Sequence, residues 1–146
     1  MNKEEVLLKN KVINVIWSAF IVATLVYGFV IFYLNQGNID GINFNTITLT
    51  LLVFGFSNLI IGYTINQKMP SLLKKNTNLD LETLYSKFMT LNIISWALIE
   101  SAAALGLACS FIEKNGIYFL TLGIPALICL FLTKPRPEIL KRIVLS

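Results

Sequence analysis

Glu100 is the single charged residue inside the four long apolar stretches of this chain, and it lies near the middle of the third. A carboxyl group at that depth of a bilayer is costly, so a chain that places one there pairs it, protonates it or uses it. The chemistry open to it is reversible binding of a proton or cation, or a hydrogen bond that ties helices together. Polar neighbours are few. Asn58, flanked by Ser57 and four residues from Gly62, is the polar residue nearest the middle of the second stretch, and Ser18, Thr24 and Tyr27 are available on the first. None of the stretches contains Lys or Arg, so no internal ion pair can form. The expected state is therefore a protonated acid, hydrogen-bonded to Asn58, to a hydroxyl or to a backbone carbonyl. Glu100 and Asn58 are the candidate ion-binding residues.

The elements that must position them are legible from hydropathy. Of the 146 residues 55% are hydrophobic, concentrated in the stretches 12–34, 47–65, 89–111 and 117–133. Helices of these lengths span about 26 to 35 Å, which matches a hydrocarbon core of ~30 Å. The fold class expected is all-α, a polytopic membrane protein with four transmembrane helices arranged as two hairpins in one domain, 1–146. The first stretch has basic flanks but exceeds the h-region of a signal peptide and lacks an A-x-A-like site, so it reads as a retained anchor.

Charge distribution sets the topology. Eleven of the twelve basic residues precede the first stretch, separate the second from the third, or follow the fourth; only Lys114 lies in the other loops. The positive-inside rule then puts both termini and the central loop in the cytoplasm, with the protein in the inner membrane. This basic face reads as topology and attraction to anionic lipid, not as a nucleic-acid surface. Membrane lipid is thus one expected partner.

Smaller features refine the plan. The loop 35–46 is rich in Gly and Asn, as turns require. Pro70 is expected to end the second helix, leaving Ser71 to Asn76 as a polar connector. Asp80 suits an N-cap, and Leu81, Leu84, Tyr85 and Phe88 follow helical spacing, as in a helix anchored on the lipid surface. The turn 113–116 is short, so the third and fourth helices form a tight hairpin. Pro125 should kink the fourth helix and is the hinge candidate. Pro135 and Pro137 end it, and Ile139, Leu140, Ile143 and Val144 form a basic amphipathic tail. A gapless alignment of the first and third stretches matches Ile16 with Ile94, Ala19 with Ala97, Ile21 with Ile99 and Gly28 with Gly106, as a duplicated hairpin would.

On helical spacing Glu100 shares its face with Trp96, Ala97, Ala103, Ala104 and Leu107. Ala97/Ser101 and Ala102/Gly106 are small-xxx-small pairs that let backbones approach, and Gly62 and Gly28 offer the same on other helices. The run Ala97-Leu-Ile-Glu-Ser-Ala-Ala-Ala-Leu-Gly-Leu resembles the carboxylate helix of the rotary ATP synthase proteolipid (c subunit), whose pattern is approximately A-x-x-E-A-x-A-x-x-G-L. The resemblance implies that Glu100 reversibly binds a proton or Na⁺. It covers only this helix, since the glycine-rich first helix and the Arg-Gln-Pro loop of that family are absent. The layout as a whole is similar to small uncharacterised four-helix bacterial membrane proteins.

Two functions are therefore expected of the chain. One is a proton- or cation-binding component of a membrane complex. The other is a non-catalytic assembly or accessory subunit in which Glu100 only hydrogen-bonds helices. Further copies of the chain or other subunits of such a complex would be partners in either case. With no His, no paired carboxylates and no Gly-x-Ser-x-Gly, an enzyme is not expected. Neither is a metal site or a cofactor. Cys109 and Cys129 read as small apolar side chains.

Overall fold

A computed structural model describes residues 3–34, 39–42, 45–74 and 80–139, with side chains from Asn10 onward in the first helix. The chain forms four helices: α1 Lys3–Leu34, α2 Thr46–Lys74, α3 Leu81–Glu113 and α4 Ile117–Leu132. Three of them, Asn10–Leu34, Thr46–Lys74 and Leu81–Glu113, are long and apolar enough to cross a membrane. The fourth is apolar but has 16 residues, a rise of about 24 Å. Helices are what such sequences must form in hydrocarbon, because only a helix satisfies its backbone groups within one segment.

Contacts along the helices fix their directions. Tyr85 donates to Asn10 Oδ1 at 3.1 Å near the start of α3, and Tyr27 meets Glu100 halfway along, so α1 and α3 run parallel. Antiparallel packing of α2 on α3 follows from Asn92 lying against Met69 Sδ at one end and Thr48 bonding Glu113 at the other. α4 also opposes α3, from Phe119 beside Ser110 to Thr133 beside Trp96.

α3 packs against all three other helices, whereas α1 and α2 do not pack on each other among the described residues. This corrects the expectation of two hairpins: α1 and α2 form no packed pair, and of neighbours in sequence α2 packs on α3 and α3 on α4. The unequal halves also fail to match a duplicated hairpin. The cause is the distribution of small residues. On α3, Ser95, Ala102, Ala103 and Gly106 are buried on several sides, so other backbones can come close to it. α1 and α2 instead turn bulky side chains outward, among them Val15, Phe29, Phe32, Val53, Phe54 and Ile60. With such faces exposed, the bundle fits a hydrocarbon surrounding.

Several boundaries differ from expectation. α1 begins well before residue 12. Pro70 lies inside α2, which continues to Lys74, so the connector expected from Ser71 is helical in its first turn. Proline removes one N–H, the donor to Asn66 O, without breaking the helix here. The turn beyond it is held by Met69 and Leu73, both buried, and by Ser71 Oγ donating to Lys68 O at 2.7 Å. Residues 81–88 are continuous with α3. Their apolar side is not a lipid anchor, since Leu84, Tyr85 and Phe88 are buried within the protein.

The expectations for the loop 35–38, for the connector 75–79 and for the tail from Leu140 onward lie outside the described residues. Pro125 stands within α4, half-buried, in a helix continuous on both sides of it. Asp80 holds the N-cap position of α3 with extended backbone but forms no side-chain cap bond of regular geometry. The Thr83 hydroxyl beside it still keeps its carboxyl below the ordinary value. A lowered folded-state pKa means that the resulting stability is present at neutral pH and fades as pH falls through the acid range.

Among the helical glycines, the closest approach to another backbone is at Gly62, between α2 and α3. A Cβ on Gly62 would stand 2.7 Å from the Ser95 carbonyl oxygen and 2.9 Å from Ile99 Cγ1. Ser95 Oγ in turn donates to Gly62 O at 2.8 Å. At Gly28 the same Cβ would meet only the edge of the Phe119 ring, at 3.0 Å. Backbone cannot yield as a ring can. Gly62→Ala is therefore expected to destabilise by about 1–3 kcal/mol and Gly28→Ala by less, as read from thermal unfolding of both variants in the same detergent.

Candidate functional site

Helical geometry turns successive side chains of α3 by about 100°. Glu100 and Ser101 consequently face different neighbours. The Tyr27 phenol of α1 donates to Glu100 Oε1. Asn58 Nδ2 of α2 donates to Ser101 Oγ at 2.9 Å, and Ser101 Oγ donates to Leu98 O at 2.7 Å. Of the partners open to Glu100, a hydroxyl takes the place and Asn58 does not. Asn58 sits at the right depth but on another face of α3, where Ser101 meets it.

Tyr27, Asn58, Glu100 and Ser101 are all half-buried. They lie where α1 and α2 flank α3 without touching each other. Ala97, expected to serve helix packing with Ser101, is exposed, and this corrects that expectation: it faces the opening between the flanking helices. The other packing residues lie within interfaces. Ala102 is fully buried. A Cβ on Gly106 would come within 3.1 Å of Leu122 Cβ and of the Tyr118 carbonyl oxygen, so this glycine sets the approach of α4. Gly62 and Gly28 meet α3 and α4, as described above. The face expected to surround Glu100 is thus divided: Trp96 and Ala103 point into the core, Ala97 outward.

Two further polar clusters carry the ends of the bundle. At the end of α3, Glu113 Oε1 accepts from Thr48 Oγ1 at 2.7 Å and from Asn45 Nδ2. Asn45 also N-caps α2, its Oδ1 accepting the Thr48 N–H at 2.8 Å. Asn115 joins loop to turn: its Oδ1 accepts from Asp40 N at 3.2 Å and Ile117 N at 3.0 Å. At the opposite end, two indoles satisfy carbonyls in and after the last turn of α4. Trp96 Nε1 donates to Thr133 O at 3.0 Å and Trp17 Nε1 to Leu130 O at 2.9 Å. Sequence reasoning missed all of these. The one available signal was the polar pair Asn45 and Thr48 at a helix start, matched in depth by Glu113 at a helix end.

The chemistry available at Glu100 is that of a carboxyl accepting a hydrogen bond from a phenol at mid-helix, on a seam that is not sealed. Among the described residues no group of three His, Cys, Asp or Glu side chains is placed to hold a metal. Cys109 and Cys129 are free thiols.

The pairing pattern is testable by double-mutant cycles on unfolding in detergent. Tyr27→Phe and Glu100→Ala should couple by about 0.6 kcal/mol and by no more than about 1.7, the average and the upper end for interhelical hydrogen bonds in membrane proteins. Asn58→Ala should couple in the same way with Ser101→Ala, and more weakly with Glu100→Ala. Equal coupling of Asn58 to both would contradict the division of partners.

No family model, no curated protein and no solved structure matches the chain.

Proposed function

We propose that this chain is an integral membrane protein whose functional group is Glu100, a protonatable or cation-binding carboxyl in a component of a membrane complex. The observation that carries the reading is the Tyr27–Glu100 hydrogen bond, made at mid-helix by a carboxyl that is only half-buried. A group on an open seam can exchange a proton or a cation, which a sealed one cannot. The similarity of the Ala97-to-Leu107 run to proteolipid carboxylate helices supports the same assignment. The asymmetry of basic residues supports an inner-membrane location with both termini in the cytoplasm.

A second reading rests on a different observation. Tyr27–Glu100 and Asn58–Ser101 each tie α3 to a helix that makes no contact with the other flanking helix. In this reading the chain is an assembly or accessory subunit and Glu100 serves only to hold α1.

Carbodiimide modification separates the two, because it reacts with protonated carboxyls in apolar surroundings. On the binding-site reading, labelling at Glu100 falls as pH rises, falls further when Na⁺ is added if the ion is Na⁺, and vanishes in Glu100→Gln. That variant should keep α1 in place, since an amide can still accept from Tyr27. Labelling that does not vary with pH or Na⁺, together with loss of assembly in Glu100→Leu, would leave only the structural role.

A further inference from the structure

The end of the bundle where α2 finishes and the chain leaves α4 contains a recess of about 100 Å³. Its lining includes Asn66 and Gln67 of α2, Asn92 of α3, and Lys134 and Arg136 from the segment after α4. Among the described residues no acidic one lines it, and the two charged groups that do are both positive. The Trp96–Thr133 bond sets the level: Asn92 lies one turn before Trp96, beside the segment that Thr133 begins.

Both cations are exposed and keep donors to spare. Lys134 Nζ stands 5.9 Å from the centre of the Trp17 ring, within reach of a cation–π contact that still leaves its N–H groups available. Arg136 Nη2 donates to Leu132 O at 3.3 Å, which uses one of the five N–H donors of a guanidinium. Pro135, buried between them, stiffens the connection. Asn92 is an independent sign of a ligand. It is 1% exposed, its Nδ2 donates to Phe88 O at 2.8 Å and leans on Met69 Sδ at 3.4 Å, and its Oδ1 accepts no hydrogen bond among the described residues. A buried acceptor left open calls for a donor from outside the fold.

We propose that this recess is a phosphate-binding site, with Lys134 and Arg136 taking the phosphate oxygens and Asn92 Oδ1 accepting from a hydroxyl or ammonium carried by the same molecule. A guanidinium and an ammonium together suit a phosphate in charge and in donor number. Two sources share that chemistry, a phospholipid headgroup and a soluble phosphate. The site does not depend on any role of Glu100, which lies two turns further along α3.

The test uses the full chain in dodecyl maltoside, titrated at constant ionic strength with dioleoylphosphatidylglycerol or with inorganic phosphate, and reads thermal stabilisation. Saturable stabilisation by lipid alone assigns the headgroup; saturation by inorganic phosphate as well assigns soluble phosphate too. In Lys134→Gln/Arg136→Gln the half-saturating concentration should rise roughly tenfold or more, with a smaller rise for Arg136→Gln alone. The charge-matched control Lys68→Gln/Lys74→Gln should stay within about twofold of the unsubstituted chain, its lysines lying outside the recess. Three results would overturn the site: no saturation by either probe, an unchanged double variant, or an equal loss in the control, which would mean diffuse attraction to a basic surface.

Discussion

Access of three helices to one central helix is the constraint on which this structure rests. α3 can be approached closely because its buried positions include Ser95, Ala102, Ala103 and Gly106, and because Gly62 on α2 removes the last obstruction. Lipid supplies no hydrophobic drive for helices to associate, so close packing and paired polar groups must do so. Both act here at the same places. The Gly62–Ser95 crossing joins backbone contact to a hydroxyl–carbonyl bond, and Gly106 brings α4 near enough for Ser110 Oγ to accept the Phe119 N–H at 2.9 Å. The bundle is organised around α3, not as two equal halves.

The polar side chains fall into three levels along that axis. Asn45, Thr48, Glu113 and Asn115 close one end, Tyr27, Asn58, Glu100 and Ser101 occupy the middle, and Asn10, Tyr85, Asn92 and the two tryptophans close the other. At every level helices are tied by side chains that each have a partner in another element. A slip of one helix by a turn would strand several of these groups in apolar surroundings, where each unmet bond costs about 1–3 kcal/mol. The polar residues thus set register while the small residues set distance.

Hydropathy alone was enough to read the number of helices, the mid-depth position of Glu100 and the scarcity of its partners. It conveys depth but not azimuth. Asn58 and Tyr27 lie at comparable depth, and only the placement of α1 and α2 on different faces of α3 decides that Glu100 meets the phenol. Ala97 failed as a packing residue for the same reason. Pro70 misled because a missing N–H was taken as a stop, although tertiary packing of Met69 and Leu73 outweighs one lost bond. Leu84, Tyr85 and Phe88 show an apolar stripe that lipid and protein can cover equally well, and the pattern does not distinguish them. The Glu113 cluster joins residues far apart in the chain, so no local spacing announces it.

The lack of contact between α1 and α2 bears on how the molecule is made. A chain emerges N-terminus first, and α1 and α2, which precede α3, make no contact with each other among the described residues. Until α3 is present, Tyr27 and Asn58 lack the groups that later receive them. Synthesis of α3 then converts two independent segments into one body, and α4 follows across a turn of only Lys114, Asn115 and Gly116. Packing of α1 and α2 into one body therefore waits for α3, which acts as the template on which the earlier helices are sorted.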